Sequence, residues 1–356
     1  MNKERGLRFL KIIFSFIFMI CILYYFFGKN PESLKRDLLK VDYFYVLLSM
    51  VFGALAYINR GLRWIILIDA LGHTISRVNA ISAVSVGYFT NLFIPRAGEI
   101  SRCTSLKNSD NIPVDKLFGT ILIERVIDLF FLLVGVILAI VLKSREITYS
   151  INEYRKLTPK EESASWSNSI IITVFDEPVY GHYLIKLGCI VILSLLIYFF
   201  KKNSKKIPLY KRKFLDFIDG LKLGFKSIKK IKNKASFWFH TLSIWIMYFL
   251  MTYICLYAIP ETSHLGVSDA LFLLVIGGIG MVIPTPGGFG SYHVIVMVGL
   301  VALNIDKGFI SVLTYNEYNP AILNPIIVHT GQTFVAIIMG SIGLFMLFIN
   351  KKTLND

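Results

Sequence analysis

Ionisable residues interrupt an otherwise apolar sequence at two places, and their types and spacing suit the holding of an anion. Arg96, Glu99 and Arg102 follow a proline in steps of three. Residues three apart on a helix share a side, so two guanidiniums there could grip a phosphate bidentately while Glu99 orients one of them. Glu124, Arg125 and Asp128 sit inside an apolar run over 117–142. Glu124 and Asp128 share a face at i, i+4, and Arg125 is free to pair with the charges around it. A charge at the bilayer centre costs about 2.5–3.5 kcal/mol on insertion scales. Such groups therefore mark a binding site or an internally neutralised structural cluster, and the residues alone leave both open.

The elements that must position these groups are broken ones. Residues 78–94 carry Asn79, Ser82, Ser85, Thr90 and Asn91 and stop at Pro95. Residues 271–283 and 292–303 are separated by Pro284-Thr285-Pro286-Gly287-Gly288, with Gly290 and His293 just beyond. Each of the latter two pieces is too short for the ~20 residues a helix needs to cross ~30 Å of hydrocarbon. Backbone N–H and C=O groups without partners are not tolerated against lipid, so an intramembrane break implies a site lined by protein or water. The half-helix ends then offer oriented dipoles, and the Gly-rich break at Gly287 to Gly290 would let backbone amides approach a bound group. A Pro-kinked ordinary helix is the plainer alternative for either break alone. The breaks also echo each other: Ile94-Pro95-Arg96-Ala97-Gly98 and Ile283-Pro284-Thr285-Pro286-Gly287 both read Ile-Pro-x-x-Gly, a match that also arises by chance.

Composition sets these pieces in a membrane. Of 356 residues 55% are hydrophobic and only 17% charged, and the mean hydropathy is +0.62, far from a soluble domain. Apolar runs over 12–27, 43–58 (continuing as helix to 64), 117–142, 183–200, 237–259 and 326–349 predict six spans. The expected fold is all-α integral membrane: about six transmembrane helices plus two re-entrant broken-helix hairpins, arranged as an inverted repeat if the echo is real. Residues 1–356 then form a single polytopic domain. The run over 12–27 follows a basic segment as a signal peptide would, but without small residues at a cleavage site it reads as an uncleaved span.

The net charge of +15 resides mostly in residues 201–235, where thirteen Lys and Arg face two Asp. A basic segment between apolar spans is what the positive-inside rule places in the cytoplasm, against anionic lipid. A nucleic-acid partner is set aside on that distribution. Apolar residues recur at spacings of four and three over 214–228, which predicts a helix lying on the inner membrane face. Both termini are then cytoplasmic in the inner (plasma) membrane, and residues 143–182 form an external loop. The four cysteines have no metal-ligand spacing, no His-Glu-x-x-His occurs and no Gly-Lys-Ser/Thr follows the glycines, so no metal, cofactor or nucleotide site is expected. Asn59, Arg60, Arg63 and Trp64 end the second span, a position that suits interfacial snorkelling and anchoring. His293, Asn324, His329 and Gln332 either face the site or bond neighbouring helices.

Three motifs in order, Asn91-Leu92-Phe93-Ile94-Pro95-Arg96-Ala97-Gly98-Glu99 with Arg102, Glu124-Arg125-Val126-Ile127-Asp128, and Pro284-Thr285-Pro286-Gly287-Gly288-Phe289-Gly290, resemble the lysylphosphatidylglycerol synthase transmembrane family. The likeness covers about residues 10–350. It implies movement of a phospholipid or lipid-linked headgroup between leaflets, and points to Arg96, Gly98, Glu99, Arg102, Glu124, Arg125, Asp128, Pro284, Pro286, Gly287, Gly288 and Gly290 as substrate-binding residues. Bifunctional members carry a soluble aminoacyltransferase domain after the membrane region; none is present in these residues, so lysyl transfer is not expected. The implied partner is a membrane lipid with an anionic phosphate headgroup, and a homo-oligomer or an envelope-biosynthesis partner is compatible. The alternatives are a membrane transferase acting on a phospholipid or polyprenyl phosphate, for which Asp37 and Asp42 are the outer-loop carboxylates, and a scaffold for envelope or polysaccharide assembly.

Overall fold

A computed structural model describes residues 31–157, 231–303, 305 and 320–353. The expected spans over 12–27 and 183–200, the amphipathic stretch 214–228 and most of the two long loops lie outside these residues. The described residues form helices α1 (Pro31–Leu38), α2 (Tyr43–Asp69), α3 (Arg77–Phe93), α4 (Gly98–Asp110), α5 (Val114–Leu157), α6 (Lys234–Cys255), α7 (Val267–Val282), α8 (Ser291–Ala302) and α9 (Pro320–Thr353). The protein is an all-α membrane protein: α2, α5, α6 and α9 contain stretches long and apolar enough to span a bilayer.

Local chemistry sets the helix starts. Asp42, Ser76 and Asn233 accept hydrogen bonds at 3.0 Å from the amides of Phe44, Asn79 and Ser236, capping α2, α3 and α6. α5 continues past residue 142, where a loop was expected, after a kink at Lys143 (φ −114°, ψ 21°). At that kink the Lys143 ammonium lies 2.5 Å from Asp269 in the first turn of α7, so a buried ion pair anchors the chain there.

Both interrupted regions fold as antiparallel hairpins. In the first, Asn79 bonds Asp110 at 3.1 Å near the open end, and Gly87 meets Gly98 near the tip. In the second, Gly280 packs on Tyr292 and Gly299 on Ile276. The first tip is held by Asn91, whose side-chain oxygen accepts from the Gly98 amide at 2.7 Å. A Cβ on Gly98 would run into the Gly87 carbonyl and the Asn91 amide, both on the facing arm. Gly98→Ala should therefore destabilise the protein by about 1–3 kcal/mol, the usual cost of overpacking. A midpoint of thermal unfolding in detergent equal to that of the parent would contradict this packing.

The hairpins are related by exchange of the two halves. α2 runs antiparallel to α6, with Ser49 bonding the Met251 carbonyl and Asn59 meeting His240. α3 packs against α9, Asn79 meeting Asn350 and Phe89 meeting Gly340, while its counterpart α7 packs against α5, Gly278 meeting Leu132 and Gly135 meeting Val275. The order of directions along α2–α5 is thus reversed along α6–α9. Two apolar clusters follow the same division. One joins Trp64, Ala83, Leu106, Ile121 and Phe237; the other joins Ala139, Leu256, Leu273, Leu300 and Ile322. The hairpins enter from opposite ends and their tips meet, Gly287 packing on Leu92.

Candidate functional site

α5 presents Glu124 and Asp128, one turn apart, to α2, which presents Arg60 and Arg63 at a similar spacing. Because the helices run antiparallel, the four side chains interlock. Arg60 Nη1 donates to Asp128 Oδ2 at 3.0 Å, and its Nε donates to the Tyr248 hydroxyl of α6 at 2.6 Å. Arg63 Nη1 and Nη2 donate to the two Asp128 oxygens at 2.8 and 3.3 Å, and its Nε lies 3.5 Å from Glu124 Oε1. Arg102 of α4 completes the series: its Nη1 donates to Glu124 Oε2 at 2.7 Å. Its guanidinium lies over the Trp64 ring, 3.6 Å from the centroid, and the Trp64 indole N–H donates to Thr120 Oγ1 at 2.8 Å.

All five charged side chains are buried or nearly so; Arg63 is wholly inaccessible. Three guanidiniums face two carboxylates, so the series carries one surplus positive charge. Among the described residues the unpaired donors of the series are Arg63 Nε, which lies 3.5 Å from Glu124 Oε1, and Nε and Nη2 of Arg102, so the surplus falls mainly on Arg102. A buried donor left unpaired costs about 1–3 kcal/mol, more when charged, which makes this guanidinium a receptor for an acceptor group.

A cleft between α3, α4 and α5 adjoins Arg102, with Gly87, Tyr88 and Asn91 on one wall and Gly98 and Glu99 on another. Tyr88 stacks on Tyr57 with centroids 4.2 Å apart. Arg125 lies at the cleft and pairs with Glu99 at 3.3 Å, leaving the buried Glu99 Oε2 without a partner.

Of the residues singled out from sequence, Gly98, Glu99, Arg102 and Arg125 line the cleft, Glu124 anchors Arg102, and Asp128 holds the far end of the series. Arg96 is elsewhere. It precedes the helix in a left-handed conformation (φ 62°), so the expected common side with Glu99 and Arg102 does not form. Its Nη2 instead donates to the Val282 carbonyl at 3.2 Å, joining the two hairpin tips. Glu99 orients Arg125 and not a neighbouring arginine of its own segment.

Pro284, Pro286, Gly287, Gly288, Gly290 and His293 build the second tip. Gly288 and Gly290 take φ values of 82° and 85°, which side-chain-bearing residues rarely adopt. His329 Nε2 donates to the Gly287 carbonyl at 2.9 Å, and the Gly290 amide donates to His293 Nδ1 at 3.3 Å. These bonds fix the turn to α9 and to its own helix, and the residues of the second tip do not line the cleft. Among the described residues no three His, Cys, Asp or Glu gather as metal ligands.

Arg60, Arg63 and Trp64 correct the expectation of interfacial anchoring: all three are buried, and the arginines are ion-paired. The signal that separates the readings is the helix face. Ser49, Gly53, Ala56, Tyr57, Arg60 and Arg63 form one buried stripe of α2, whereas Phe44, Leu47, Val51 and Leu55 form the exposed one. Snorkelling arginines would continue the second stripe.

Comparison with known proteins gives a consistent relationship. The family described as lysylphosphatidylglycerol synthase TM region matches residues 8–314. The UPF0104 membrane protein MJ1595 of Methanocaldococcus jannaschii is 24% identical over 326 residues, covering 85% of this chain and 87% of that protein. No solved structure matches the chain significantly.

Proposed function

The chain belongs to the lysylphosphatidylglycerol synthase transmembrane-region family, and on that premise we propose that it moves the phosphate-bearing headgroup of a membrane lipid between leaflets. The observation that carries this reading is the buried surplus charge at Arg102, a cleft-lining residue with two guanidinium nitrogens unpaired among the described residues. A phosphate oxygen pair fits a guanidinium fork, and one anionic headgroup cancels the surplus. Trp64 beneath the guanidinium and Glu124 beside it hold the fork in place before the ligand arrives. The acyl chains stay in the bilayer, so only the headgroup needs a polar route. Opposed broken hairpins meeting at their tips suit a site served alternately from the two sides.

The end of the fold that carries Arg77, Lys107 and Lys116 is the cytoplasmic one under the positive-inside rule. With the expected span over 12–27, that orientation supports cytoplasmic termini in the plasma membrane. The transferase reading has less support: Asp42 caps α2 and Asp37 lies 4.0 Å from Lys40, so neither carboxylate is poised as a base. Within the cluster Glu99, Glu124 and Asp128 are all ion-paired, which suits holding an anion better than removing a proton.

Reconstitution into vesicles with a headgroup-labelled fluorescent phosphatidylglycerol tests the reading. The expected result is protein-dependent loss of inner-leaflet protection from a membrane-impermeant quencher, with the lipid chemically unchanged. A modified lipid would replace transport by catalysis. Rates equal to protein-free vesicles across anionic phospholipids and polyprenyl phosphates would remove the proposal.

A further inference from the structure

Arg125 stands in an unusual place. On α5 the side chains of Phe118 and Leu122 are about half exposed, and Arg125 continues their stripe with its side chain 46% accessible. It is eleven residues beyond Val114, about 16 Å along the helix at 1.5 Å per residue, near the middle of ~30 Å of hydrocarbon. On α4, Ile100 follows Glu99, the partner of Arg125, and is 60% exposed; Phe93, at the end of α3, is 54% exposed. The ion pair at the cleft thus lies on two helices whose neighbouring apolar side chains are exposed. A cleft serving a water-soluble solute would have a polar rim.

We propose that the cleft opens sideways into the bilayer between α4 and α5, and that the Glu99–Arg125 pair is the latch of this portal. The occupant is a phospholipid: its phosphate exchanges with Glu99 for Arg125 at the mouth, and its acyl chains lie along Phe118, Leu122 and Ile100. This rests on the lipid-translocation reading and specifies where the lipid enters. The pair is suited to exchange because Arg125 is half exposed and Glu99 a quarter exposed, and they are joined at 3.3 Å through one oxygen, with the buried Glu99 Oε2 unpartnered among the described residues. The Arg102–Glu124 contact behind it is shorter, at 2.7 Å, and buried, so it persists while the mouth opens.

The test uses a photoreactive benzoylphenylalanine at Ile100 or Leu122, and for comparison at Ile246 of α6 or Phe345 of α9, which are similarly exposed apolar positions elsewhere. The full chain is placed in phosphatidylcholine vesicles holding a minority of phosphatidylglycerol, irradiated, and its adducts identified by mass spectrometry. At positions 100 and 122 the adducts should be enriched in phosphatidylglycerol about fivefold over the vesicle ratio, the preference expected of one accessible cation. At positions 246 and 345 they should match the vesicle. Glu99→Gln, which removes the competing carboxylate, should raise the enrichment, Arg125→Gln should abolish it, and Arg125→Lys should keep it. The vesicle ratio at 100 and 122, peptide adducts there in place of lipid, or a fall on Glu99→Gln would each overturn the portal. Failure of the headgroup site has a different signature: Arg125-dependent enrichment persists, while Arg102→Gln leaves transport unchanged.

Discussion

Asp128→Asn should lower the stability of the folded protein by roughly 3–5 kcal/mol, the cost of breaking a buried ion pair from one side. Asp128 accepts from Arg60 at 3.0 Å and from Arg63 at 2.8 and 3.3 Å, so one carboxylate pairs with two buried guanidiniums. Neutralising it raises the surplus charge of the series from one to two without providing a new acceptor. Glu124 cannot substitute, because Arg102 already occupies one of its oxygens. The measurement is the midpoint of thermal or denaturant unfolding in detergent, together with the folded yield. Adding Arg60→Met to Asp128→Asn restores the original charge count, and about half of the lost stability should return, since contacting residues couple strongly. Wild-type stability in the single variant would mean that the ionic series does not organise the helix packing.

The fold class was readable because the bilayer imposes few solutions: long apolar runs must be helices, and runs cut by Pro and Gly must be sheltered. Re-entrance was expected because 78–94 is studded with polar residues and stops at Pro95, because 271–283 and 292–303 are each too short to cross alone, and because the Lys and Arg balance of six spans returns each broken region to the side it entered. The pairing of charges was not readable, because it depends on which helix lies opposite. Glu124 and Asp128 do share a face, as their spacing required, and both reach Arg63. Arg125, adjacent in sequence, points to another face and to Glu99. The expected grip of Arg96 with Arg102 failed on a backbone detail that spacing cannot carry: the helix begins at Gly98, so the count of three does not run through helical residues.

The same dependence on neighbours explains the arginines of α2. Their position at one end of an apolar run suggests a membrane interface, yet their helix face was already informative, since they align with small and polar residues. A face made of Ser49, Gly53 and Ala56 is built for close helix contact. An arginine on such a face must find a carboxylate on another helix. The chain supplies Glu124 and Asp128 in an otherwise apolar segment, and both sides of the pairing were therefore present in the sequence.

Arg102→Met should separate function from folding. If Arg102 is the surplus cation, its removal leaves two guanidiniums against two carboxylates, and Glu124 keeps Arg63 as a partner at 3.5 Å. Replacing a buried ionic group by an apolar one of similar volume is often neutral or stabilising when no charge is stranded, and a thioether packs well on the face of the buried Trp64 ring that the guanidinium covers. Stability should therefore stay within about 1.5 kcal/mol of the parent. Lipid translocation should fall about 10- to 100-fold, since the hydrogen bonds a charged donor makes to its ligand contribute about 1.5–3 kcal/mol. Asp128→Asn, by contrast, should lose both properties together. The two variants thus test one electrostatic argument from opposite sides, one by increasing the unbalanced charge and the other by removing it. A stable, fully active Arg102→Met protein would show that the cation at the head of the cleft serves packing, and would leave the headgroup without its principal ligand.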